Sequence, residues 1–181
     1  METGLLQILN AHAYGKNDWK LMARKFYGMQ IISIDGIPEL NGVLTQEELA
    51  FYVVLSSLAT LTRNELRENV ITNSSILSLL ETVPDTNDIL DNFMMGRYEL
   101  FQRQLNRIQS KLKYDFYFGE HRSNNVFKKI RTLTLQQYVK PYKVIDMREI
   151  STAFGLPLEV IESELTELIT SGAIKAKIDS Y

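Results

Sequence analysis

The chain of 181 residues contains no cysteine. Disulfides, thiolate nucleophiles and thiolate metal sites are therefore excluded, and the composition fits a reducing compartment, with cytosol and nucleus as the expected locations. Histidine is nearly as scarce. His12 and His121 are the only two, and no HExxH spacing joins them, so a metal centre would need mostly carboxylates and no cofactor is expected. The nine glycines form neither a GxGxxG nor a GxxxxGK[ST] pattern, which removes the usual phosphate cradles. Ser56-Ser57 lies in an apolar stretch without the strand-turn-helix elbow of a hydrolase. Long hydrophobic runs are missing too: the longest, residues 49–55, falls far short of the roughly 20 residues that cross a bilayer. Residues 1–9 lack a basic start and a cleavage site, so no secretory leader and no membrane partner are expected.

What remains is the composition of a folded domain, 45% hydrophobic and 23% charged, with a net charge of −2. The charge is unevenly placed. Residues 39–91 hold nine acids and two bases, residues 97–143 hold eleven bases and three acids, and residues 144–181 return to seven acids and three bases. Such blocks are either solvated helix faces or surfaces that pack against neighbours of opposite sign.

Apolar residues recur at helical spacing through most of the chain, which makes the fold mainly α. Residues 3–12 and 17–32 predict two antiparallel helices, the second ending at Asp35-Gly36-Ile37-Pro38. They resemble one unit of a TPR- or HEAT-like helical repeat. Thr45-Gln46-Glu47-Glu48 is a capping box opening a helix buried on all sides, and Thr62-Arg63-Asn64-Glu65 repeats the device. Short helices are expected at 76–81 and 88–94, then longer ones at 98–113 and 124–139, the last stopped by Pro141. Phe101, Leu105, Ile108 and Leu112 mark the buried stripe of the 98–113 helix.

The last forty residues change character. Val144-Ile145 favours a strand, Asp146 can cap a helix over 147–154, and Gly155-Leu156-Pro157 is a turn into a second helix over 158–170. Ser171-Gly172 ends that helix, and residues 173–179 alternate like a strand. Strand, helix, tight turn, helix and strand is the order of a winged helix with a small β-sheet. Sequence-specific DNA binding is opposed by the second helix, which carries Glu159, Glu162, Glu164 and Glu167 and no base to meet phosphates. A face with Arg103, Arg107, Lys111, Lys128, Lys129 and Arg131 leaves a winged-helix nucleic-acid module as the alternative of a different class.

Gln137-Tyr138 followed by Pro141-Tyr142, then Met147-Arg148-Glu149-Ile150-Ser151-Thr152-Ala153-Phe154-Gly155, Ile161-Glu162-Ser163-Glu164-Leu165 and Gly172-Ala173-Ile174-Lys175-Ala176-Lys177-Ile178-Asp179, resembles a PCI domain. That module is named for the proteasome lid, the COP-nine signalosome and translation initiation factor three. The stretch Leu58-Ala59-Thr60-Leu61-Thr62-Arg63-Asn64-Glu65-Leu66-Arg67-Glu68-Asn69-Val70-Ile71 is most similar to the signalosome branch, with the proteasome lid branch next. The resemblance implies a helical-repeat stack ending in a winged helix. It divides the chain into the end of a repeat region (1–42), a helical bundle (43–141) and a winged helix (142–181) whose last strand and following helix would lie past residue 181.

The resemblance also implies a non-catalytic scaffold, present in cytoplasm and nucleus, whose partners are other PCI subunits and not a small-molecule substrate. In the signalosome branch the complex strips a ubiquitin-like modifier from cullins, with the isopeptidase in a different subunit. Val144, Ile145, Lys175, Ala176, Lys177 and Ile178 are the expected partner-binding residues, at an open edge that also makes self-association possible for the isolated chain. By alternation alone, the four apolar members could equally be core.

Overall fold

The computed structural model describes residues 18–28, 44–115 and 119–179, with side chains of 119–123 left aside. The expected helix at 3–12 lies outside these residues. Asp18 accepts from the amides of Lys20 and Leu21 and opens α1 (Trp19–Tyr27), whose Met22, Ala23 and Phe26 face inward. This helix ends at Gly28, short of the 32 expected from periodicity.

Both capping boxes form. Thr45 Oγ1 accepts from the Glu48 amide at 3.2 Å while Glu48 Oε2 accepts from the Thr45 amide at 2.7 Å, and α2 (Gln46–Leu58) follows. Every residue from 49 to 58 in α2 is buried. The helix meets α1 and the later helices Ser74–Glu81, Pro84–Met94 and Gly119–Val139, which explains why its sequence is apolar all round. Thr62 and Glu65 make the same reciprocal bonds at the start of α3 (Arg63–Leu66). The chain then widens into a π-helical turn, Arg67–Ile71, closed by the Thr72 amide donating to the Arg67 carbonyl at 3.0 Å.

Asn73 caps α4 (Ser74–Glu81). Pro84 is the first residue of α5 (Pro84–Met94), which starts ahead of the 88 expected from spacing, because a missing amide is harmless in a helix's first turn and the ring already holds helical φ. Gly96, at φ 71°, turns the chain into α6 (Tyr98–Leu112). Phe101, Leu105, Ile108 and Leu112 are buried as the spacing required. Next come α7 (Gly119–Val139), α8 (Met147–Phe154) and α9 (Leu158–Thr170).

Two apolar cores result. The larger is built from α1 to α7 and includes Val126, Phe127 and Ile130 of α7. The smaller holds Tyr98, Leu135, Ile150, Phe154, Ile161, Leu165 and Leu168. Helix α7 therefore serves both, its first half lying in one core and Leu135 in the other. Tyr98 does the same for α6, since it heads a helix whose other buried residues belong mainly to the larger core.

The expected β-sheet of the winged helix does not form: among the described residues there is no strand. Residues 144–145 and 175–178 make no backbone hydrogen bond to each other or to any other described segment. A two-residue piece and a lone tail make at best a marginal ribbon without a third strand, and Ile145 and Ile178 pack instead on the helical core.

An aromatic joint fastens the smaller core to the larger. Arg63 Nη2 donates to the Phe93 carbonyl at 3.1 Å and to Tyr98 Oη at 2.5 Å, with its guanidinium over both rings. Tyr98 stacks on Phe154 at 5.0 Å, and Tyr138 stands edge-on to both. A Tyr98→Phe variant keeps the stack but strips one acceptor from a partly buried cation. Its expected cost is about 1–2 kcal/mol, read as a lower urea midpoint. A midpoint equal to wild type would show that the hydroxyl does not hold the joint. Gly155→Ala should cost a similar amount, about 1–2 kcal/mol for a left-handed φ, because Gly155 sits at φ 62° and a Cβ there would meet Glu99 Cγ at 2.8 Å.

Candidate functional site

The unit after α7 is assembled from short local signals. Asp146 accepts from the Arg148 amide at 2.8 Å and starts α8, though Glu149 does not return a bond and no full capping box closes. At the turn, Ser151 Oγ donates to the Leu156 carbonyl and the Leu156 amide returns to the Ser151 carbonyl, locking the angle between α8 and α9. Gly172, at φ 73°, ends α9, with the amides of Ala173 and Ile174 both donating to the Leu168 carbonyl.

The six expected partner-binding residues divide into two kinds. Val144 is 90% exposed, and Lys175, Ala176 and Lys177 are exposed too. Ile145 and Ile178 are half-buried, packed against the smaller core beside Tyr138, Met147 and Ile174. Taken together as the margin of the unit, two of the six, the isoleucines, are rooted on the smaller core and the other four are exposed. Lys177 pairs with Asp179 at 2.9 Å, and both are largely exposed.

The charge blocks meet each other inside the chain. Lys111 of α6 reaches Glu47 at 2.6 Å and Asp85 at 3.1 Å and lies over the Phe51 ring, and Arg107 approaches Asp85 at 3.8 Å. Its hydrogen bond to Glu47 is the first cause that holds the Lys111 ammonium above the usual lysine range, with burial working against it. From α7, Lys128 pairs with Glu167 at 2.8 Å and Arg131 with Glu164 at 2.5 Å. Exposed pairs are worth about 0–1 kcal/mol each, against roughly 1.5–3 kcal/mol for each large apolar side chain sunk in the core. Their effect is on the charge left for display: of the six bases on the candidate nucleic-acid face, Lys128 and Arg131 are engaged by carboxylates of the very helix that would have to read a groove, and Arg103, Arg107 and Lys111 pair with Glu99, Asp85 and Glu47.

Glu164 is the residue least expected to be buried. It sits on the stripe of Ile161, Leu165 and Leu168 and is only 9% exposed. Burial pushes its carboxyl above the usual glutamate range, with Arg131 and Lys128 pulling the other way. Its placement three residues after Ile161 and four before Leu168 was the available signal. The role of Arg63 had a weaker one, a base one residue into a capped helix. Among the described residues no group of three His, Asp or Glu side chains could hold a metal ion. His12 is outside the described residues, and His121 falls in the first turn of α7. No helix among the described residues is long and apolar enough to cross a membrane.

Residues 91–181 match the PCI domain. The chain is 34% identical over 167 residues to COP9 signalosome complex subunit 1 of Arabidopsis thaliana, covering 90% of this chain and 36% of that protein. It is 32% identical over 163 residues to COP9 signalosome complex subunit 1b of Drosophila melanogaster, covering 90% and 30%. The 26S proteasome non-ATPase regulatory subunit 6 homolog of Arabidopsis thaliana is 28% identical over 137 residues, covering 76% and 35%. The chain thus spans about a third of the length of these relatives.

The raised Glu164 carboxyl has a sign that can be checked. The folded chain holds that proton more tightly than the unfolded one, so the group's stabilising contribution is full below the ordinary glutamate range and is lost as pH rises through the raised folded value. Glu164→Gln should flatten this falling limb in a series of urea midpoints against pH. An unchanged limb would assign it to another group.

Proposed function

The chain belongs to the PCI-domain family, and from that premise we propose that it is the assembly part of a signalosome scaffold subunit. In this reading it sets its winged-helix unit beside those of other PCI subunits in the complex that removes a ubiquitin-like modifier from cullin-RING ligases. The chain performs no catalysis itself, the isopeptidase being carried by another subunit. The observation that carries the reading is the margin at Val144, Ile145, Lys175, Ala176, Lys177 and Ile178. Its backbone at 144–145 and 175–178 has no ladder partner among the described residues, and its outward side chains are exposed beside two rooted isoleucines. Unpaired backbone of this kind is a template for a strand from another chain. The subunit would work in cytoplasm and nucleus, in keeping with a cysteine-free sequence.

A scaffold of the proteasome lid is the second reading, favoured by the relatives named proteasome regulatory subunit 6 at 28–30% identity. The signalosome relatives, at 32–34% over 90% of the chain, outrank them. The nucleic-acid module is disfavoured by the acidic face of α9 and by the pairing of Lys128 and Arg131.

The test is capture of purified PCI subunits of the signalosome and of the lid on the immobilised chain. Signalosome subunits should be retained in preference. Val144→Asp, at a position too exposed to matter for folding, should weaken retention at least tenfold, or about 1.4 kcal/mol. Preferential retention of lid subunits would move the chain to the other branch. Indifference to Val144→Asp and to Lys175→Glu together would remove the margin from the interface. Salt-dependent binding of duplex DNA, lost on reversing Lys128, Lys129 and Arg131, would overturn the scaffold reading.

A further inference from the structure

The unit that carries the margin is electrically two-sided. On the outer face of α9, Glu159, Val160, Glu162 and Ser163 are all exposed, and the helix holds no base. Glu164 and Glu167 are taken up by Arg131 and Lys128, but Glu159 and Glu162 make no ion pair with any described residue. Beside this face lies an open groove of about 340 Å³, lined from α7 by Lys128 and Arg131 and from α9 by Glu159, Val160, Ser163 and Glu164. That is small for a drug-sized ligand and ample for one side chain. Glu164, nine-tenths buried at its wall, has a carboxylate oxygen, Oε2, with no hydrogen-bond partner.

Residues 140–144, the segment entering the unit, have the opposite character. All five are exposed, Tyr142 by 49% and Val144 by 90%, and neither Lys140 nor Lys143 makes an ion pair with a described residue. Two cations without an ion pair among the described residues therefore flank an aromatic ring that packs on Tyr138 at 5.6 Å and leaves its other half in solvent. The acidic face offers two free carboxylates around an exposed valine and a groove of side-chain size.

We propose that copies of this chain associate head to tail, the 140–144 segment of one seated on the α9 groove of the next. Lys140 and Lys143 face Glu159 and Glu162, and Tyr142 enters the groove beside Val160. A second copy is the occupant because the basic segment and the acidic face with its groove are complementary in charge and are both carried between residues 128 and 164, so any two copies present both. The two patches are built from different residues, and a head-to-tail, heterologous contact leaves one groove and one loop open at the ends of every oligomer. Association should therefore continue past the dimer. Charge pairs between exposed groups are individually weak and salt-sensitive, so the contact is a low-affinity one anchored by a single aromatic. The proposal concerns α9 and the 140–144 segment and holds or fails apart from the signalosome reading.

Sedimentation of the 181-residue chain tests it. At low salt the average mass should climb with concentration beyond twice the monomer's 20.9 kDa, and in about 1 M salt, where the Debye length is about 3 Å, it should return to the monomer. Glu159→Lys with Glu162→Lys should give a monomer at low salt, as should Lys140→Glu with Lys143→Glu. An equimolar mixture of the two reversed variants should associate again, since each then offers the other a matching pair of surfaces. Restored association also proves both variants folded. A wild-type chain that stays monomeric at low salt would overturn the proposal. Oligomers indifferent to salt and to charge reversal would do the same, as would a mixture that stays monomeric.

Discussion

Tyr98 is the residue on which the arrangement of the C-terminal unit depends. It begins a helix whose other buried residues lie mainly in the larger core, yet its own ring lies in the smaller one, stacked on Phe154 with Tyr138 edge-on. Arg63 holds its hydroxyl from α3 and is held in turn by the Phe93 carbonyl. No carboxylate joins this cation among the described residues, and its Nε has no partner. Ring faces and two oxygens replace the water it has lost. Swinging α8 and α9 away from the bundle would break the stack of Tyr98 on Phe154, while the bonds from Arg63 to Phe93 and Tyr98, both carried by the bundle, hold the Tyr98 ring in place to receive it.

Electrostatics act on top of that frame and do a different job. Alternating charge blocks looked, in the sequence, equally suited to solvation and to partners. Folding brings the blocks into register with one another, acids of α2 and α5 against α6, and acids of α9 against α7. The pairs contribute little to stability, but they subtract charge from the surface. Among what is left exposed without an ion pair to a described residue are the carboxylates of Glu159 and Glu162 on α9 and the lysines at 140 and 143, and Val144 and Ala176 are exposed beside two half-buried isoleucines.

Local signals were readable because their physics is local. Thr45 and Thr62 cap within three residues, and the stripe of α6 needs only its own period. The α8 turn needs only a glycine that tolerates positive φ. Features that depend on distant chain were not readable. The expected sheet failed because a strand exists only with a partner, and 144–145 and 175–178 have none among the described residues. Arg63 acquires its role from α5 and α6, thirty or more residues away, and Glu164 from Arg131 on a separate helix. The early start of α5 at Pro84 is a different case, a local signal that favours a helix's first turn and that the spacing of apolar residues does not register. As for the candidate site, the choice of residues came from a family resemblance. Their division into rooted and outward-facing members came only from coordinates.

The central claim is that the frame presents an unsatisfied backbone margin to another protein. Amide hydrogen exchange across residues 144–145 and 174–178 measures this most directly, first in the free chain and then in complex with purified signalosome PCI subunits. The account predicts fast exchange at 175–178 in the free chain, against slow exchange in α7 and α9, and strong protection of the same amides on assembly. Amides already protected in the free chain, or equally unprotected in the complex, would contradict it.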